Sequence, residues 1–187
     1  GLAGDEAKAL RQVTILFLDV VGSTALAQRL DPEEVSAVMD GALARGTTIV
    51  LARGGKVLQY AGDNILAAFG ADEAAEDDAE RAVRCGLALL ELGRAVGAEV
   101  LSACGYRGFN FRVGVHTGAV LLGGGVDKEG TIRGSSVNIA ARMEQTAPAG
   151  GLRISHDTYT QVRGVFDVEV QEPLAVKGVD TPVRSYL

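Results

Sequence analysis

The sequence predicts an α+β domain with a ferredoxin-like β-α-β-β-α-β core, extended by a short helix and additional C-terminal strands. Three observations predict it. Strand-like and helical segments follow one another as strand, helix, paired short strands, helix, strand. Lys56 to Phe69 holds two short apolar runs around Ala61-Gly62-Asp63-Asn64, the mark of a β-hairpin. With 187 residues, 47% of them hydrophobic, the chain can bury roughly 70% of its unfolded surface. No internal repeat or low-complexity run divides it. One domain is expected over residues 12-187, after a small, charged linker over 1-11.

The elements follow in order. Val13 to Asp19 is β-branched, aromatic and apolar, hence a buried strand. Asp31-Pro32-Glu33-Glu34 starts a helix, with Asp31 as N-cap, Pro32 in the first turn and Glu34 closing a capping box. Val35, Val38, Met39, Ala42, Ile49 and Ala52 then recur at helical spacing until Gly54-Gly55. After the hairpin, Ala71 to about Leu101 is expected as a long helix. Its acids Asp72, Glu73, Glu76, Asp77 and Asp78 suit a solvated helix start. Phe109 to His116 and Ala119 to Leu122 are expected as a strand pair turning at Thr117-Gly118. Val137 to Thr146 is a helix stopped by Pro148 and Gly150-Gly151. Leu152 to Ser155 is a short strand, Asp157 to Val162 a short helix, and short strands are expected near Phe166, Leu174 and Val183.

Charge and composition exclude several functions. The net charge is −6 and no run of Lys or Arg occurs, which argues against a nucleic-acid partner. The longest apolar stretches look strand-sized, so no membrane segment is expected. No signal peptide is expected before the first strand. Cys85 and Cys104 form no metal pattern, and a reduced, cytoplasmic setting fits them. His116 and His156 stand forty residues apart and make no zinc site. Gly123-Gly124-Gly125 is not a dinucleotide fingerprint, and no P-loop pattern occurs.

Chemistry concentrates in Phe17-Leu18-Asp19-Val20-Val21-Gly22-Ser23-Thr24. A carboxylate ending an apolar strand suits a hard cation such as Mg²⁺. The glycine turn and helix start beyond it would offer backbone N–H groups to phosphate. The plainer reading makes Asp19 the cap of that helix. Asp63 sits on the hairpin turn, and in a β-α-β-β order the first strand and the hairpin share a sheet. The two acids can then meet at its end and hold two Mg²⁺ about 4 Å apart, enough to clamp attacking and leaving oxygens. Asp63 also fits as a simple turn residue. Asn138 and Arg142, at i and i+4, share one helix face, where a planar guanidinium suits phosphate oxygens. Arg112 lies inside an apolar strand and needs a partner there. Lys177 carries no signal by itself.

In combination these motifs resemble the catalytic domain of class III nucleotidyl cyclases, the adenylate and guanylate cyclase family. They are Phe17-x-Asp19-x-x-Gly22-Ser23-Thr24, Gly54-Gly55 before Gly62-Asp63, Arg112 to Gly118, Gly134-x-x-Val137-Asn138-x-Ala140-x-Arg142, and Lys177-Gly178. The resemblance covers Val13 to Leu187. It implies that Asp19, Asp63 and the Val20 carbonyl bind two Mg²⁺ (or Mn²⁺), and that Val21, Gly22, Ser23 and Thr24 wrap the triphosphate. It implies Arg112 and Lys177 on the β- and γ-phosphates, Asn138 on the ribose, and Arg142 on charge at the α-phosphate. The implied reaction is attack of the ribose 3′-hydroxyl on the α-phosphate with loss of pyrophosphate. It also implies a homodimer whose sites are shared, since the chain carries both residue sets, and an upstream regulatory domain.

Base choice is less ordinary. Adenylate cyclases of this family typically place lysine four residues before the second metal aspartate, where this chain has Gln59. Seven residues before Asn138 stands Thr131, a residue found there in adenylate cyclases. Glutamine both donates and accepts, so it need not reject either purine. The expectation is an adenylate cyclase acting on ATP, with some use of GTP. The alternatives are a guanylate or dual-specificity cyclase, or a catalytically weak cyclase-like dimerising or nucleotide-sensing module. A diguanylate cyclase or polymerase palm shares the core, but its Gly-Gly-Asp/Glu-Glu-Phe signature is absent from Tyr60-Ala61-Gly62-Asp63-Asn64.

Overall fold

The period-2 pattern of the first strand decides the layering. Leu16, Leu18 and Val20 point to one face, Val13 and Ile15 to the other, and all are buried. Both faces must therefore be covered. The computed structural model describes residues 9–122, 135–177, 179 and 183–187. Among these, β1 (Ala9–Val21) pairs antiparallel with β3 (Asn64–Phe69) on one side and β4 (Asn110–Leu122) on the other. With β2 (Lys56–Ala61), β5 (Leu152–Ser155), β6 (Val170–Leu174) and β7 (Val183–Tyr186) they form a sheet ordered β2-β3-β1-β4-β5-β7-β6. The first four strands have the ferredoxin-like order, and the last three are the C-terminal additions.

On one face lie α2 (Pro32–Ala52) and α3 (Asp78–Cys104), closing the main core around Leu16, Leu18, Phe69, Leu89, Phe111 and Val113. Each such side chain contributes about 1.5–3 kcal/mol by leaving water. On the other face α4 (Ser135–Thr146) covers a smaller cluster of Val13, Ile15, Leu66, Ala68, Val120 and Ala140. The α2 start follows its capping box: Glu34 N–H donates to Asp31 Oδ1 at 2.9 Å, and Asp31 N–H donates to Glu34 Oε1 at 3.3 Å.

Several expectations are corrected. Strand β1 starts at Ala9, because Ala9 to Gln12 pair with Leu122 to Ala119 on β4. Thr117-Gly118 is no turn. Strand β4 runs through it in continuous register with β1, and the Thr117 hydroxyl bonds Thr14 at 2.9 Å and Thr158 at 3.0 Å. Helix α3 begins at Asp78, not Ala71. Asp78 is buried rather than solvated, accepting from Ala75 N–H and pairing with Arg81. Phe166 lies in no strand and packs against the main core. Finally, α2 is long and apolar enough to cross a membrane by length and composition, against the strand-sized estimate. Its Met39, Leu43 and Val50 belong to the main core.

Candidate active site

Sheet register places the first acid. Asp19 stands opposite Asn64 on β3 and Arg112 on β4, just as Phe17 stands opposite Leu66 and Gly114 two residues earlier. Cross-strand partners share a face, so Asp19 and Arg112 look to the α4 side. Asp63 occupies the turn between β2 and β3 and is exposed. Its carbonyl accepts the Val20 N–H at 2.9 Å, which pins the turn beside the end of β1. Both acids thus sit at one end of the sheet.

Arg112 finds its partner in Asp19 itself. Its Nη2 donates to Asp19 Oδ2 at 2.9 Å, and its Nη1 donates to the Gln145 carbonyl at 3.1 Å. A third carboxylate completes the group. Glu144 on α4 is buried, and its Oε1 lies 3.3 Å from Arg112 Nη2. Burial, with the neighbouring Asp19 charge, pushes the Glu144 carboxyl up to about 7, against the pull of Arg112. Sequence reasoning missed this residue. The signal was an acid in the buried stripe Ser136, Ile139, Ala140, Met143, one turn beyond Ala140. Glu144 reaches the sheet because Gly114 lets α4 approach: a Cβ there would overlap the Glu144 backbone nitrogen and stand 2.7 Å from the Ala140 carbonyl oxygen.

The turn after β1 has its own demand. Gly22 has φ +93°, and a Cβ there would meet the Gly108 carbonyl oxygen and Tyr106 Oη, each at 2.6 Å. Gly22 is the N-cap of the one-turn helix α1 (Ser23–Leu26), and no side chain caps it. The plainer reading of Asp19 as helix cap is therefore overturned. The first N–H groups of that turn have no partner within the helix. Val21 and Ser23 are half-buried there, and Thr24 is exposed.

A second group gathers on the outer face of α4. Asn138 is exposed, and one turn on, Arg142 Nε donates to the Ala175 carbonyl at 3.3 Å. Next in that segment, Val176 packs against Ile139 and Met143, and Lys177 is exposed beside it. The structure thus brings Arg142 and the Lys177 segment together. Helical periodicity puts Asn138 and Arg142 on the side of α4 turned away from Glu144 and the sheet. Within one chain, the acid group and this group lie on opposite sides of the helix. Gln59 is on β2, exposed, after a bulge between Val57 and Gln59. The bulge aligns Gln59 with Leu66, so it shares the α4 face with Asp19. Thr131 lies outside the described residues.

The donors at the acid end are of the kind that suits a hard cation. Asp19 and Glu144 both pair with the Arg112 guanidinium, Asp63 lies on the adjoining turn, and the side-chain acceptors are all oxygen. Among the described residues, no group of three or more His, Cys, Asp or Glu is arranged to hold a metal ion.

Comparison with known proteins agrees with this fold. The family profile described as the adenylate and guanylate cyclase catalytic domain matches residues 6–187. Adenylate cyclase 1 of Rhizobium meliloti (strain 1021) is 33% identical over 147 residues, which are 77% of this chain and 22% of that protein. The chain thus spans about a fifth of that relative's length. The adenylyl cyclase CyaB from P. aeruginosa superimposes with a TM-score of 0.89 at 29% identity, covering 96% of this chain and 94% of that one. The guanylyl cyclase Cya2 follows at 0.87 and 31%, covering 96% and 92%.

Proposed function

The chain belongs to the adenylate and guanylate cyclase catalytic domain family, and from that premise we propose that it converts ATP to 3′,5′-cyclic AMP and pyrophosphate. What supports this reading is the placement of Asp19 and the Asp63 turn at one sheet end, beside a helix start whose first N–H groups have no partner within the helix. The ribose 3′-oxygen bonds to the α-phosphorus, the bond from that phosphorus to the bridging oxygen breaks, and pyrophosphate departs. Two Mg²⁺ (or Mn²⁺) would lower the pKa of the 3′-hydroxyl and neutralise charge on the departing pyrophosphate.

The chain's own residues supply the rest. Asp19, Asp63 and the Val20 carbonyl would hold the ions. Val21, Gly22, Ser23 and Thr24 turn backbone N–H groups to the triphosphate. Arg112 and Lys177 serve the β- and γ-phosphates, Asn138 orients the ribose, and Arg142 offsets charge that develops at the α-phosphate. Gln59 and Thr131 read the base. No protein nucleophile takes part.

The two residue groups lie on opposite sides of α4, which supports a site shared between two copies. One copy gives the acids, its partner gives Asn138 and Arg142, and a two-fold homodimer holds two equivalent sites. The linker expected over 1-11 gives way to a catalytic domain that includes β1 from Ala9, and we propose a cytoplasmic setting and an upstream regulatory domain, with no nucleic-acid partner. Purified protein, assayed with Mn²⁺ and ATP or GTP across protein concentrations, tests the reading. The expected result is cyclic AMP as the main product, with specific activity rising with concentration. Cyclic GMP outrunning cyclic AMP would favour the guanylate or dual-specificity alternative, which Gln59 keeps in view because its amide accepts and donates. Failure of Asp19→Ala to change a weak activity would favour a cyclase-like dimerising or nucleotide-sensing module.

A further inference from the structure

We propose that Glu144 is a positioning residue for Arg112: a second carboxylate that keeps the guanidinium seated while Asp19 turns its oxygens to a divalent cation. The inference rests on the reading of Asp19 as a metal ligand. Arg112 is held from two sides by acids on different elements, Asp19 on β1 and Glu144 on α4, at 2.9 and 3.3 Å from the same Nη2. Only the Asp19 contact is a hydrogen bond. The Glu144 contact is an ion pair out of alignment, and both Glu144 Oε1 and Arg112 Nε are buried with no hydrogen-bond partner. An idle acceptor thus lies beside an idle donor in the one place where leaving them unpaired is costly. A small rotation of the guanidinium would satisfy both, through the two-pronged Arg–carboxylate geometry. The rotation gives up Asp19, and the Gln145 carbonyl on Nη1 keeps the side chain tethered through the change.

The consequence is a division of labour between two acids. Without Glu144, Arg112 has Asp19 as its carboxylate anchor, and a cation must displace it. With Glu144, the arginine has somewhere to go. It stays at the sheet end with its charge facing the triphosphate.

The test is Mn²⁺ binding without nucleotide, read from the free-ion paramagnetic resonance signal. It compares the unaltered chain with Glu144→Gln, Glu144→Asp, Arg112→Met and the Glu144→Gln/Arg112→Met double variant. Glu144→Gln is expected to weaken Mn²⁺ about tenfold, a change of about 1.4 kcal/mol, and Glu144→Asp to recover most of that loss. In the Arg112→Met background, Glu144→Gln is expected to change affinity by less than about twofold, because the competitor for Asp19 is gone. Unchanged affinity in Glu144→Gln overturns the proposal. So does an equal loss with and without Arg112, which would make Glu144 a direct attractor of the cation. Asp19→Asn separates this from the parent reading. If it binds Mn²⁺ as the unaltered chain does, Asp19 is no ligand, and both readings fall together. If Asp19→Asn abolishes binding while Glu144→Gln leaves it intact, the positioning role alone fails. Thermal melting of each variant confirms that it folds.

Discussion

Asp19 and Arg142 are both set by regular structure, yet their surroundings differ. Asp19 is locked from both flanks by strand register, with Asn64 and Arg112 as fixed neighbours and a third acid packed beneath a helix. Arg142 stands on the outer face of α4, and a single carbonyl of a following segment holds its Nε. The acid half is finished within the chain, whereas the α4 half presents its groups outward. A site divided in the proposed way would keep the costly part, the crowded like charges, under local control. It would leave the cheap part, a half-buried guanidinium and an exposed amide, to meet substrate later.

The sharpest way to break that contrast is to remove a ligand from the finished half. Asp19→Asn or Asp63→Asn should lower cyclase turnover by about a thousandfold or more, since electrostatic organisation usually dominates such catalysis, and sedimentation should show unchanged association. Arg142→Ala should lower kcat about a hundredfold with a smaller change in KM. Mixing it with Asp19→Asn should restore a measurable fraction of activity, because one of the two mixed sites has all its groups. No recovery on mixing would place both halves in one chain.

The hinge between the halves is the α4–β4 contact. Gly114→Ala forces α4 off the sheet at Glu144 and Ala140 and should cost about 2–3 kcal/mol, read by urea denaturation. Beneath the same helix, His116 on β4 is buried with Nδ1 2.6 Å from Ser155 Oγ and Asp157 4.0 Å away. Burial lowers its pKa to about 4, with Asp157 opposing. The folded state therefore binds fewer protons than the unfolded one between pH 4 and 6.5. Stability is full above pH 6.5 and falls as the pH drops toward 4; His116→Gln should flatten that slope in melts taken across the window. The smallest effect is expected at the base: Gln59→Lys should raise the ATP-to-GTP activity ratio by about three- to tenfold.

What could be read from the sequence divides along the same physical line. The capping box at Asp31 and the hairpin at Gly62-Asp63 are local, so residue types within a few positions announce them. The placement of Asp19 and the Asp63 turn at one sheet end needed one further step, strand order, and that order followed from the succession of elements. Thr117-Gly118 misled because a threonine and a glycine look like a turn until their long-range partners, Thr14 and Thr158, are known. Asp78 misled for a like reason: an acid near other acids reads as solvated, yet Arg81 and the Ala75 N–H draw it inside. Glu144 escaped because its neighbour Arg112 is 32 residues away in the chain. The apolar length of α2 escaped because alanine, glycine and threonine dilute it.

The antiparallel pairing of β1 with both its neighbours also limits how this chain can change. Adding or deleting one residue between Val13 and Asp19 would swap the two sides of the strand and drive the carboxylate into the oily layer beneath α3. Length changes can be absorbed at the outer end, near Ala9, or in the loops. The stretch in between tolerates substitution but not insertion, so in any set of descendants its spacing should drift far less than its spelling.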